Sequence, residues 1–225
     1  MLAQALVLDF GGVISRTLFE THALTECELG LPAGTLDWLG PFAPASKPDP
    51  LWQAMQRDEI SERDYWFTRT RETGALLGED WQRMEQFVQR ARGRDVLGVI
   101  RPEFLQAIAA VKAAGGRLLI LSNELDLFYG NDFRSKLPFL QDFERIIDAT
   151  YTGILKPDPR AYALVLAGTG LAAEQCVFVD DQLRNVRGAL AVGMQAVHFD
   201  VLQPARSYQQ ALALMGLSGL EEPTE

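Results

Sequence analysis

Four short apolar runs constrain this chain more than anything else in it: ALVL at 5–8, RLLIL at 117–121, CVFV at 176–179 and QAVHF at 195–199. None shows the in–out alternation of a strand wetted on one face. Each therefore reads as a strand covered on both faces, as in a parallel sheet. Helical patterns fill the gaps between them. PEFLQAIAAVKAAGG (102–116) opens with Pro102 in its first turn and closes on Gly115 and Gly116. DPRAYALVLAGTG and LRNVRGALAVG also stop at glycine. Strand alternating with helix predicts an α/β chain, a Rossmann-like parallel sheet with helices on both faces.

Residues 18–96 break that rhythm. They hold no strand pattern, and amphipathic stretches such as DEISERDYWFTRTRETG and DWQRMEQFVQRARG predict helices. All four tryptophans, Trp38, Trp52, Trp66 and Trp81, fall here, enough bulk for a separate small core. The expectation is an inserted α-helical cap over 18–96 and a core built from 1–17 and 97–225. Tyr65 and Trp66 should pack within the cap, and Arg69 and Arg71 should lie on a solvated face. The polar tail LSGLEEPTE reads as frayed.

With 225 residues the chain has room for such a core and insertion. A formal net charge of -9 argues against nucleic acid and anionic membranes as partners. The two cysteines, Cys27 and Cys176, lie far apart without metal-type spacing. That usage, with no basic stretch ahead of a long apolar run at the N-terminus, fits a reducing, cytoplasmic setting. A monomer or a homodimer is equally compatible with the sequence.

Ligands of open parallel sheets collect at the carboxyl ends of the strands. The residues following the first three runs are Asp9, then Ser122 and Asn123, then Asp180 and Asp181. The loop GILKPDP adds Lys156, stiffened by Pro157 and Pro159. A nucleophile candidate, a hydroxyl and an amide, a cation and an acid pair make most of a kit for handling a phosphoryl group with a divalent metal.

DFGGV, LSN, KPDP and VFVDDQLRN, in this order from residue 5 to about residue 193, resemble the four motifs of the haloacid dehalogenase-like hydrolase superfamily. The insertion falls where that family carries a helical cap, and the spacing is closest to its sugar-phosphate phosphatases. The resemblance implies that Asp9 attacks phosphorus to form an aspartyl-phosphate. It implies magnesium as cofactor, held by Asp9, Asp181, the Gly11 carbonyl and Asp180 as ligand or neighbour. Ser122, Asn123, Lys156 and Gly12 fall on the phosphoryl-binding side, with Lys156 balancing charge and Asn123 and Asn185 fixing loops. A small phosphate ester is the implied substrate.

One position departs from the pattern. Most phosphatases of the family read DxDG[TV], and the second acid protonates the leaving oxygen; here that position is Gly11. A general acid contributes ~10²–10⁴-fold. Leaving groups that need little protonation, such as an anomeric or acyl phosphate, would suit the change. Alternatively Glu124, Asp126 or His22 substitutes, or turnover is lost and the protein binds or regulates. A 2-haloacid dehalogenase also lacks the second acid, but has no job for a metal-holding pair such as Asp180 and Asp181. His198 reads as a strand-end or core histidine.

Overall fold

The computed structural model describes residues 3–92 and 96–217, so the tail discussed above lies outside the described residues apart from Leu217. Its elements in chain order are β1 (Ala5–Leu8), α1 (His22–Leu29), α2 (Pro50–Gln56), α3 (Glu62–Leu76), α4 (Met84–Ala91), α5 (Pro102–Ala113), β2 (Arg117–Ser122) and α6 (Leu125–Tyr129). Then follow β3 (Arg145–Asp148), α7 (Ala149–Thr152), α8 (Pro159–Leu166), β4 (Cys176–Asp180), α9 (Leu183–Ala191), β5 (Gln195–His198) and α10 (Pro204–Leu214).

The strands form one parallel sheet in the order β3-β2-β1-β4-β5. β1 is the centre, and the connections run outward from it in both directions, which makes its carboxyl end the topological switch point. Side chains of β1, β2 and β4 are buried on both faces, as the unbroken apolar runs required. Ala5, Val7, Leu119, Leu121, Cys176 and Phe178 pack with Ala161, Tyr162 and Val165 of α8 and Ala189 of α9. The opposite side carries α5 and α10, packed on β2 and on β4 and β5 respectively.

β3 is the strand missed by the sequence reading. RIID has four residues, carries charge at both ends and lies at the sheet edge with three residues only half-buried. Only Ile146 and Ile147 stand between Arg145 and Asp148, so no apolar run develops to mark it. β5, at the opposite edge, keeps an apolar run but is only part-buried with His198 exposed, which corrects the expectation of cover on both faces for that strand.

The chain divides into two compact units. The sheet unit comprises Met1–Arg16, Ile100–Leu125 and Leu137–Glu225; the second comprises Thr17–Val99 and also Asp126–Lys136. Residues 126–136, expected within the sheet core, thus group with the inserted helices. Among the described residues the second unit is helical, without a strand.

Within that unit Phe19 is ringed by Trp38, Trp52, Tyr65 and Trp66 at centroid distances of 5.6, 5.2, 6.2 and 5.4 Å. Tyr65 is fully buried. Arg69 corrects the expectation of a solvated face: its Nη2 donates to Asp49 Oδ1 at 2.6 Å, with the two side chains only 10% and 1% exposed. The guanidinium lies 5.5 Å from the Trp38 ring and 5.2 Å from that of Tyr65. Asp49 also caps α2 through Trp52 N and accepts the Tyr65 hydroxyl. A carboxylate already collecting those donors gives the arginine a partner inside, which outweighs its preference for water.

Candidate active site

The register places Leu8 beside Ile120 on one flank and Val179 on the other. The next residue of each strand line, Asp9, Leu121 and Asp180, therefore shares one level at the carboxyl end of the sheet. Lys156 binds all three. Its Nζ donates to Asp9 Oδ1 at 2.6 Å, to the Leu121 carbonyl at 2.8 Å and to Asp180 Oδ2 at 2.7 Å. Three donors on an ammonium are thereby matched to three acceptors.

The lysine side chain is 1% exposed. Burial pulls its pKa down, but the carboxylates of Asp180 and Asp9 outweigh that pull and hold it above the ordinary lysine value. It is a permanent cation at neutral pH. Its backbone is clamped as well: Lys156 N donates to Asn123 Oδ1 at 2.7 Å, and Asn123 Nδ2 donates to the Lys156 carbonyl at 3.3 Å. Asn123 thus couples the loop after β2 to the lysine loop. Beyond it, Asp158 caps α8 by accepting from Arg160 N, and Pro159 occupies the first turn. This is how KPDP becomes a stiff strap.

Asp180 is fully buried and its two oxygens take four donor contacts. Gln182 N reaches Oδ1 at 2.8 Å, Asn185 Nδ2 reaches both oxygens at 3.1 Å, and Lys156 reaches Oδ2. Asn185 is in turn placed by α9, whose first turn Tyr162 holds through the Asn185 carbonyl at 2.7 Å. Asp181 is less buried; Gln182 Nε2 donates to its Oδ2 at 3.4 Å, and the exposed His198 sits 3.0 Å from its carbonyl oxygen. His198 is therefore a strand-end residue.

One carboxylate oxygen each from Asp9, Asp180 and Asp181 falls within a 4.8 Å cluster. An all-oxygen set of three acids suits a hard divalent cation such as magnesium, which retains waters to complete its shell. Ser122 ends β2 at the same carboxyl edge of the sheet and is buried. Gly11 and Gly12 form the turn past Asp9; Gly12 is left-handed at φ 77°, and its carbonyl accepts from Arg101 Nε at 2.9 Å.

The three suggested substitutes for the missing acid fare differently. Asp126 belongs to the second unit and is ion-paired with Arg134 at 2.8 Å. His22, also in that unit, stands edge-on to Trp38 at 4.3 Å; burial pushes its pKa down to about 4, partly opposed by Glu26, so it is neutral at pH 7. Glu124 is half-buried, one residue beyond Asn123. Reasoning from sequence passed over Arg101, Tyr208 and Gly188. Arg101 carried no motif signal, since it touches backbone 89 positions away.

A buried lysine ties a strand-end aspartate to the neighbouring acid of a pair, on a doubly wound sheet with an inserted helical unit, which defines an α/β protein with an aspartate-centred candidate site. The model of the haloacid dehalogenase-like hydrolases matches residues 2–193, and the chain belongs to that family.

Among curated proteins, it is 30% identical over 51% of its length to Acyl-CoA dehydrogenase family member 10 of Mus musculus. It spans only 10% of that protein and 22% of another curated relative. It is 25% identical to the sesquiterpene phosphatase astK of Aspergillus oryzae, over 87% of this chain and 89% of the other. The fold matches the magnesium-bound HAD-hydrolase YfnB of Bacillus subtilis with a TM-score of 0.61 at 17% identity, covering 87% of this chain and 86% of that one.

Proposed function

We propose that the protein is a magnesium-dependent phosphohydrolase acting on a small phosphorylated metabolite through an aspartyl-phosphate. The carrying observation is the single rung on which Lys156 holds Asp9 and Asp180, next to an acid cluster compact enough for a divalent ion. Asp9 attacks phosphorus, the bond to the leaving oxygen breaks, and water then cleaves the acyl phosphate to release inorganic phosphate. Lys156 fixes the carboxylate rotamer and keeps a positive charge beside the transferring group. Ser122 donates to a non-bridging oxygen.

Bound magnesium would neutralise charge between Asp9 and the substrate and polarise the phosphoryl oxygens. Asp9, Asp181 and the Gly11 carbonyl suit direct ligation. Asp180, with its oxygens already committed to four donor contacts, suits orientation of Lys156 and of the Asp181 loop. Gly11 brings no acid to the leaving oxygen, which favours an anomeric sugar phosphate or an acyl phosphate. Similarity to a sesquiterpene phosphatase adds isoprenoid phosphates to the substrates worth testing.

The test is phosphate release across sugar, acyl, isoprenoid and aryl phosphates, with magnesium or with EDTA, for the natural chain and Asp9→Asn. Release that needs magnesium and disappears in Asp9→Asn is expected. Release surviving Asp9→Asn refutes the nucleophile, whereas halide release from 2-haloacids without metal establishes dehalogenation instead.

A further inference from the structure

We infer that Arg101, assisted by Tyr208, is a positioning residue for the loop carrying the nucleophile. Three successive carbonyls after Asp9 are each taken by a donor from behind. Arg101 Nε holds Gly12 O at 2.9 Å, the Tyr208 hydroxyl holds Val13 O at 3.0 Å, and Arg101 N holds Ile14 O at 3.0 Å.

Both side chains are buried, Arg101 at 2% exposure and Tyr208 at 0%. Phe199 braces the pair, with its ring 5.5 Å from the Arg101 guanidinium and 5.2 Å from the Tyr208 ring. A planar trans peptide points its N–H opposite to its C=O. Holding the carbonyls of Val13 and Ile14 therefore turns the amides of Ile14 and Ser15 the other way, where both donate to Phe10 O at 3.0 Å. Phe10 directly follows Asp9, so the loop is closed onto the nucleophile's own neighbour.

Arg101 stands in a special place along the chain. Residues 14–16 lead out of the sheet unit and residues 100–101 lead back into it. Ser15 and Ile100 form an antiparallel bridge at that point. A single side chain thus ties the entry of α5 to the turn that presents Asp9. Its action on the reaction is indirect, through the Gly12 carbonyl, and it rests on Asp9 being the nucleophile. A charge-assisted hydrogen bond within a buried cluster is the strongest means the fold has of fixing a glycine-rich turn.

The test compares Arg101→Met, Arg101→Lys and Tyr208→Phe with the natural chain. On p-nitrophenyl phosphate, Arg101→Met is expected to lower kcat about 10–100-fold with KM within about threefold, from the value of a charged hydrogen bond. Arg101→Lys, whose ammonium reaches one bond past the position of Nε, should recover most of the loss. Tyr208→Phe, which removes only a hydroxyl, should lower kcat about 3–10-fold and decides the matter if Arg101→Met does not fold.

Hydrogen exchange of the Ile14 and Ser15 amides provides a second reading that needs no turnover. It should quicken about tenfold or more in Arg101→Met and Tyr208→Phe, with the amides of β2 and β4 unchanged. Folded variants with natural kcat and natural loop exchange would overturn the inference. If the natural chain releases no phosphate from any substrate, the phosphatase reading fails by itself, and loop exchange still judges Arg101.

Discussion

At the scale of single residues, the site is defined as much by an empty position as by its charges. Gly11 is outside the left-handed region that glycine alone visits freely, and a Cβ built on it meets nothing within 4 Å. Neither backbone conformation nor packing demands glycine there. The residue is consequently free to answer to the reaction. Gly11→Asp should fold with stability within about 1 kcal/mol of the natural chain. If its new carboxyl reaches the leaving oxygen, kcat/KM on alkyl phosphates should rise about tenfold or more relative to p-nitrophenyl phosphate, whose leaving group needs no acid. Denaturation and a two-substrate kinetic comparison check both halves. An unchanged ratio in a folded variant would show that Gly11 does not set the leaving-group preference.

At the scale of elements, the decisive contact is between α9 and the loop of Lys156. A Cβ on Gly188 would lie 2.6 Å from the Tyr162 hydroxyl, 2.8 Å from Pro157 Cβ and 3.1 Å from the Pro157 carbonyl. Backbone and a ring atom form two of those obstacles, so the helix must move if a methyl is added. Gly188→Ala is expected to cost about 1–3 kcal/mol in urea denaturation and to lower kcat by shifting the lysine from its rung. Natural stability and kcat would mean that the helix adjusts without disturbing the strap. Nothing in LRNVRGALAVG marks Gly188 as different from a glycine tolerated in mid-helix, because the crowding comes from a loop some thirty residues earlier. The inner strands and the three strand-end motifs, by contrast, were legible, since burial on both faces writes itself into consecutive apolar residues. β3 and Arg69 were not. The first has only two apolar residues between Arg145 and Asp148, and the second depends on Asp49 arriving twenty positions earlier.

At the scale of the whole molecule, two units of different chemistry share one chain with a formal net charge of -9. The sheet unit buries a cation between carboxylates, and Lys156 keeps its charge around neutrality because it is held above its usual pKa. The second unit buries His22, whose pKa burial lowers from 6.5 to about 4, with Glu26 raising and Arg69 further lowering it. The sign of the resulting pH dependence follows from proton uptake. Between pH 6.5 and about 4 the unfolded chain binds a proton at this histidine that the folded chain refuses, so stability falls as the pH is lowered through that window. From pH 7 to 4.5 the loss attributable to His22 is about 2–3 kcal/mol. Replacing the ring by His22→Phe removes the titration and keeps an aromatic edge for Trp38. Urea midpoints at the two pH values are expected to fall further for the natural chain than for His22→Phe, by that amount of free energy. Carboxylates that do not interact with the ring titrate alike in both proteins and cancel in the difference, so parallel pH curves would mean that the folded chain protonates His22 as readily as the unfolded one.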